Sequence, residues 1–473
     1  MSVGTVAMLI LVATFGLSNV VDNLVSMGLS AIPSWFVVGI LYFLPLSLIL
    51  AEFASDTKAS GGIYSYMERG IGPFWAFVGT WSYFVANIVY LQMAFSKLPT
   101  RISLSFTGVD IFASNAILVP GLAVGICVLL TFIATRGVQL FSHLADWVGK
   151  AVLVMVGCLI VVPLVLVGFG GAESANTFSL EALTPSFDLT YFATFSWLLF
   201  AVSGAEVAAP YVNQVKNPAR DFPRAILLST FLVCAIYVLA SIAVALVFPL
   251  DQLTKSTGLF DIWIGWAAQI GLPGLTIAKI FMSIITISVI AGIIIWAESP
   301  VRAMFSEVPK GTFPTAFTRR DATGTHKKAL WIQALVVIVM TLIPLASNLS
   351  GSNSSENLFG LLNDLSSLSL VIPFVFIALA YIQARRKGMD APFKMVRSTP
   401  LAIAIGIAVV VVSALGYFGA GLFALDAETI DWVYVAIIYV GPLLLIILGI
   451  ALRYASLMVY KNAQSKQNSS SKG

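Results

Sequence analysis

Two stretches of the sequence place glycine, small polar groups and a carboxylate inside runs that are otherwise apolar. The first reads Ala13-Thr14-Phe15-Gly16-Leu17-Ser18-Asn19-Val20-Val21-Asp22, and the second reads Phe200-Ala201-Val202-Ser203-Gly204-Ala205-Glu206. Glycine and serine weaken a helix in such a setting, and an acid buried in hydrocarbon is costly unless it is paired or faces water. An interrupted helix frees N–H groups at one new end, which attract an anion such as a carboxylate. It frees carbonyls at the other end, which attract an ammonium. An α-amino acid presents both charges. The plainer alternative is that Gly16 and Gly204 only let helices pack closely, and on spacing alone the two readings stand level.

The elements that must position these residues are membrane spans. The chain has 473 residues, of which 59% are hydrophobic and 10% charged, and a mean hydropathy of +0.96. A soluble domain carries about a quarter charged residues, and no polar stretch here is long enough to fold as an aqueous enzyme domain. Apolar runs of roughly 20 residues recur along the sequence. They predict an all-α integral membrane protein of about twelve transmembrane helices, at 4–27, 31–52, 73–96, 116–135, 147–170, 188–210, 224–248, 273–300, 329–348, 358–384, 400–424 and 431–457. We number these spans 1 to 12. Strands are excluded because backbone polar groups in hydrocarbon must be satisfied within each segment.

Lys and Arg concentrate in the even-numbered connections and the tail, with about 22 on that side; the other side carries Lys97, Arg101 and Lys255. That bias predicts a multi-pass plasma-membrane protein with both termini cytoplasmic, and no cleavable signal peptide is expected. The tail from 458 to 473 is polar and Ser-rich and is expected to be disordered. The net charge of +4 predicts no nucleic-acid partner. Cys127, Cys158 and Cys234 lie in apolar runs and read as small core residues, while His143 and His326 lie in polar connections, so neither a metal nor a cofactor is expected.

The breaks in spans 1 and 6 lie five helices apart, as expected of two inverted five-helix repeats whose broken helices meet at the midplane. This predicts a first repeat over 1–170, a second over 188–384, and two further helices over 400–457.

The segment Glu206-Val207-Ala208-Ala209 … Lys216-Asn217-Pro218-Ala219-Arg220-Asp221-Phe222-Pro223-Arg224-Ala225 resembles the signature that follows helix 6 in the amino acid–polyamine–organocation superfamily. Gly61-Gly62-Ile63-Tyr64-Ser65-Tyr66 with Gly72-Pro73 is similar to that family's stretch between helices 2 and 3. Ser299-Pro300-Val301-Arg302-Ala303-Met304, with Gly311, Phe313-Pro314 and Phe317, resembles its loop after helix 8. Within the superfamily the chain is most similar to the glutamate/γ-aminobutyrate antiporter branch. Gly16-Leu17-Ser18-Asn19 replaces the usual glycine-rich break of the arginine/agmatine exchangers, and Met27 to Trp35 and Leu50-Ala51-Glu52-Phe53 also favour that branch. Neither the family's usual arm before helix 1 nor the folded C-terminal plug of some of its antiporters is expected from this sequence.

The resemblance implies a leucine-transporter-like fold with a substrate site at the two breaks. It points to Gly16, Leu17, Ser18 and Asn19 in span 1, and to Ser203 and Gly204 in span 6 as donors of backbone groups. Glu206 would brace the break or carry a proton, or else be a carboxylate satisfied by neighbouring hydroxyls. Phe200 would be an aromatic gate or plain packing. Asp22 would attract an entering amine, or simply be a solvated acid. Tyr83, Asn87 and Tyr90 share one helix face, and Trp296 in span 8 joins them as a site candidate. Lys279 is expected to snorkel and Lys150 to pair with Asp146. Glu52 and Glu298 are candidates for inner-gate ion pairs with loop arginines.

Function is therefore expected to be secondary transport by alternating access, in which an amino acid is exchanged for a related one or its decarboxylation product. Glutamate/γ-aminobutyrate exchange leads. Exchange for an amine such as tyramine, agmatine or putrescine is the alternative, and a non-transporting nutrient receptor is a third reading. The expected partners are a small amino acid or amine and the lipid bilayer; protons and a homodimer stay open. No phosphate-binding loop, intramembrane nucleophile–base pair or HExxH pair is present in the sequence, so neither an ATP-driven pump nor an enzyme is expected.

Overall fold

The computed structural model describes residues 1–56, 62–112, 117–255, 257–321, 324–349, 355–419 and 432–470. Gly61 of the Gly-Gly stretch, residue 116 of span 4, 420–424 of span 11, 431 of span 12 and the last residues, 471–473, lie outside them. Among the described residues there is no strand, and nine helices are long and apolar enough to cross a membrane. Two shorter apolar helices add to these: Val3–Thr14 forms the first half of span 1, and Leu118–Ala134 is span 4. Span 9 is the helix Lys327–Leu349.

Span 1 is two helices, span 1a (Val3–Thr14) and span 1b (Leu17–Met27). Phe15 and Gly16 between them are extended, with φ −80 and −129. Span 6 is likewise broken. Its first half, span 6a, runs from Leu189 to Ala201; its second, span 6b (Ala205–Gln214), is a tighter 3₁₀ helix carrying Pro210. Gly204 joins them at φ 145, and a Cβ there would sit 2.2 Å from Thr14 Oγ1. Only glycine has both the backbone freedom and the room, so the span 6 break is pressed against the end of span 1a.

Span 3 differs most from the hydropathy reading. A single helical run, Ile63–Thr107, kinks at Gly72 (φ 81) and continues eleven residues beyond the expected end at 96. Ser105 and Thr107 return their hydroxyls to the Arg101 and Ser103 carbonyls one turn back, Ser103 donates forward to the Val109 carbonyl, and Gly108 ends the helix in the left-handed region, donating its N–H to the Leu104 carbonyl. Lys97 and Arg101, expected in a connection, are therefore helical residues. Span 5 starts at Val138, which places His143 inside a helix rather than in a connection. Span 8 (Gly274–Glu307) continues past Glu298, so this acid is not at a helix end.

The last helix, Trp432–Ser470, carries the tail with it, where the sequence predicted disorder. Lys, Ala and Gln are good helix formers, and Gln464 donates to the Tyr460 hydroxyl at 3.0 Å one turn back. The N-terminal ammonium donates to the Gln214 carbonyl, and Ser456 of the last helix to that of Gly311 beyond span 8. Both chain ends thus lie at one end of the bundle, here the terminal end; Lys97, Arg101 and Lys255 lie toward the far end.

Candidate functional site

The two breaks face one another across a cavity of about 120 Å³. One water takes about 10–15 Å³ of such volume, so the space matches roughly ten heavy atoms, the size of an amino acid. Of the expected site residues, Gly16, Ser18, Asn19, Asp22, Tyr90, Phe200, Ser203 and Trp296 line it. Leu17, Asn87, Gly204 and Glu206 do not. Leu17 turns its side chain into the core. Asn87 is buried about 4.5 Å further along the helix than Tyr90, and neither its Oδ1 nor its Nδ2 has a hydrogen-bond partner among the described residues. Glu206 is fully buried, and its Oε2 accepts the Gly204 N–H at 2.9 Å. It therefore braces the break from behind.

Three aromatic rings from different spans wall one side. Tyr90 lies 5.3 Å from Trp296 and 5.8 Å from Phe200 between ring centroids. Trp296 is fixed by donating its indole N–H to the Ala13 carbonyl at 2.9 Å. This ties span 8 to the end of span 1a.

The residue that joins the two breaks is Tyr237 of span 7 (Pro218–Val247), which the sequence reading missed. Its hydroxyl lies 3.1 Å from the Thr14 carbonyl and 3.0 Å from the Ala201 carbonyl, and it accepts from the Gly16 N–H at 3.2 Å and Asn19 Nδ2 at 3.1 Å. The ring stacks on Trp35 at 4.2 Å. A hydroxyl has one proton, so it serves the Thr14 or the Ala201 carbonyl fully, never both. A substrate ammonium is the donor that would complete the set. On the other side, the N–H groups of Leu17 and Ser18 open span 1b and make no backbone hydrogen bond to the preceding segment, which suits a carboxylate.

At the terminal end, Glu298 pairs with Arg302 at 2.7 Å and accepts from the Tyr211 hydroxyl of span 6b, while Ser299 donates to the Val207 carbonyl. Glu52 pairs with Arg385 at 3.0 Å and accepts from Tyr381. Arg302 and Arg385 lie in helices, not in the loops where the sequence placed them. Both acids are buried. Lys150 pairs with Asp146 at 2.7 Å, at the surface as expected.

A model of the amino acid permease family matches residues 1–452. The chain belongs to the amino acid permease family. This permease is 26% identical to the aspartate/glutamate permease AcaP of Lactococcus lactis subsp. cremoris, with 98% of this chain and 96% of that one aligned. It is 24% identical to the glutamate/gamma-aminobutyrate antiporter of the same organism over 64% of this chain and 60% of that one. Its fold matches the crystal structure of MhsT in complex with L-phenylalanine, with a TM-score of 0.62 and 16% identity, over 89% of this chain and 98% of that one. The permease is thus a multi-pass membrane protein of leucine-transporter-like fold, within the amino acid–polyamine–organocation superfamily, for a small amino acid or amine substrate.

Proposed function

We propose that this permease is a secondary antiporter for amino acids of the glutamate class, exchanging them for a related amino acid or a decarboxylation product by alternating access. The observation that carries the reading is the convergence of both broken spans on one amino-acid-sized cavity, with open N–H groups at Leu17 and Ser18 and an under-served carbonyl pair at Thr14 and Ala201. The relatives' named substrates, aspartate, glutamate and γ-aminobutyrate, agree with it.

In this reading Gly16, Ser18, Asn19 and Ser203 on the cavity wall, with the Leu17 N–H beside them, offer backbone or small polar groups to the substrate, Tyr90, Phe200 and Trp296 cover it, and Glu206 holds the span 6 break through the Gly204 N–H. The repeats over 1–170 and 188–384 supply one broken span each. Spans 1, 2, 6 and 7 rock against spans 3, 4, 8 and 9, and the Glu298–Arg302–Tyr211 cluster opens when the substrate leaves toward the terminal end. The basic-residue bias makes that end cytoplasmic. A second reading, exchange for an amine, leans on Asp22 in the cavity wall.

The test is exchange in proteoliposomes, with labelled glutamate outside and glutamate, γ-aminobutyrate, agmatine, putrescine, tyramine or buffer inside. Uptake only after preloading with an amino acid supports the proposal. Uptake into buffer-filled vesicles contradicts antiport, and exchange of amines without glutamate uptake moves the assignment to the second reading.

A further inference from the structure

Lys97 and Arg101 lie one helical turn apart on span 3, continuing the face that carries Tyr90. Both line the central cavity, and both line the wider vestibule of about 490 Å³ that opens from it toward the far end. Arg101 Nη2 donates to Ser18 Oγ at 2.9 Å, so the guanidinium sits beside the opening turn of span 1b with most of its donors unused. The Lys97 ammonium makes no hydrogen bond or ion pair among the described residues and is exposed to the vestibule. Asp22 faces both cations, and Lys255 from the loop above, without a direct ion pair to any of them.

The charges do not balance. Among the described residues lining the central cavity, two cations face the single carboxylate of Asp22; in the vestibule, Lys97, Arg101 and Lys255 face Asp22 and Asp110. The two spaces share Lys97, Arg101 and Asp22, so together they are left with one formal positive charge. Uncompensated charge inside a membrane protein is expensive, and an anionic solute is what would relieve it. Glutamate or aspartate carries one net negative charge, whereas γ-aminobutyrate carries none and an amine adds to the excess.

We infer that Lys97 and Arg101 form the subsite for the substrate's side-chain carboxylate and select dicarboxylic amino acids over neutral ones and amines. The inference deepens the transport reading above, rests on it, and narrows the exchanged pair to acidic amino acids rather than a decarboxylation product. With the α-carboxylate on the Leu17 and Ser18 N–H groups, the second carboxylate reaches a guanidinium already held by Ser18 itself. Arg101 supplies a planar fork for it, and Lys97 a mobile point charge. Asp22 sets the balance to one unit, so that a singly charged substrate neutralises the cavity.

The experiment compares wild type with Lys97→Gln, Arg101→Gln and Arg101→Lys in proteoliposomes, measuring KM for glutamate, aspartate, glutamine and leucine. Loss of a charged hydrogen-bond partner should raise the glutamate and aspartate KM by roughly 10- to 100-fold in the Gln variants. The glutamine KM should stay level or fall, with partial rescue in Arg101→Lys. Equal loss for all four substrates, or an unchanged glutamate KM, overturns the inference. If wild type transports none of them, the transport reading has failed, and thermal stabilisation by glutarate decides the subsite separately. Stabilisation of wild type that disappears in the Lys97→Gln/Arg101→Gln double variant supports a carboxylate site, and no stabilisation of wild type refutes it.

Discussion

Replacing Tyr237 by Phe removes one oxygen atom and leaves a ring of the same size stacked on Trp35. The lost hydroxyl lies within 3.2 Å of four groups: the Thr14 carbonyl before the span 1 break, the Gly16 N–H and Asn19 Nδ2 at and after it, and the Ala201 carbonyl at the end of span 6a. A typical internal hydrogen bond contributes about 0.5–1.5 kcal/mol net, and a buried group left without a partner costs about 1–3 kcal/mol. One donated and one or two accepted bonds therefore amount to roughly 2–4 kcal/mol. The Gly16 N–H and the two carbonyls border a cavity, so water recovers part of this, and the lower end of the range is the one to expect. If the hydroxyl mainly holds the breaks in their substrate-binding arrangement, about 2 kcal/mol appears as an approximately 30-fold weaker apparent affinity. The assay is equilibrium binding of labelled glutamate to purified protein, with thermal unfolding measured alongside. A Tyr237→Phe protein with wild-type affinity and an unchanged unfolding temperature would refute the pin. An unfolding shift without an affinity change would reduce Tyr237 to a packing residue.

Three further outcomes are expected. Gly204→Ala places a Cβ 2.2 Å from Thr14 Oγ1 and 3.0 Å from Thr14 Cβ at φ 145, a strain of at least about 1–3 kcal/mol. Transport should be lost even where the protein still reaches the membrane, and Thr14→Ser should not restore it. Arg302→Leu leaves Glu298 buried with only the Tyr211 hydroxyl, at a cost of about 3–5 kcal/mol; thermal unfolding should show the loss, and a cysteine probe at Ser299 should become more reactive from the terminal end. The third concerns His326, in the connection before span 9, which has its pKa pushed down to about 4, first by burial and then by Arg320 and Arg302. The unfolded chain, with a His pKa of about 6.5, then binds more protons than the folded one, so the contribution of neutral His326 is complete above about 6.5 and is lost as pH falls toward 4. Unfolding temperatures of His326→Gln should decline less steeply across that window than those of wild type; parallel declines would count against the assignment.

The breaks were legible because glycine beside serine, asparagine and a carboxylate is conspicuous in an apolar run. Gly16 and Gly204 stand where the structure interrupts both helices. Lys97 and Arg101 were misplaced because run length detects the part of a helix that hydrocarbon surrounds. Span 3 keeps its helix through Thr107 while its face turns to the vestibule, and charges that end an apolar run do not end a helix there. Tyr237 gave no signal at all. Its phenol counts as one more large side chain in an apolar helix, and only the approach of spans 1 and 6 makes its oxygen matter. A shared face groups Tyr83, Asn87 and Tyr90, yet only Tyr90 lines the cavity, because periodicity carries no information about position along the helix. Polarity alone suggests a disordered tail but says nothing against a helix, which the structure continues through Ser470.

The central claim is that the transported amino acid sits between the two broken spans. An experimental structure of the protein saturated with L-glutamate tests it most directly. The account expects the α-carboxylate at the Leu17 and Ser18 N–H groups and the ammonium at the Thr14 and Ala201 carbonyls, with Tyr90, Phe200 and Trp296 around them. Glutamate bound elsewhere, with this cavity holding only water in a protein that exchanges glutamate, would contradict it.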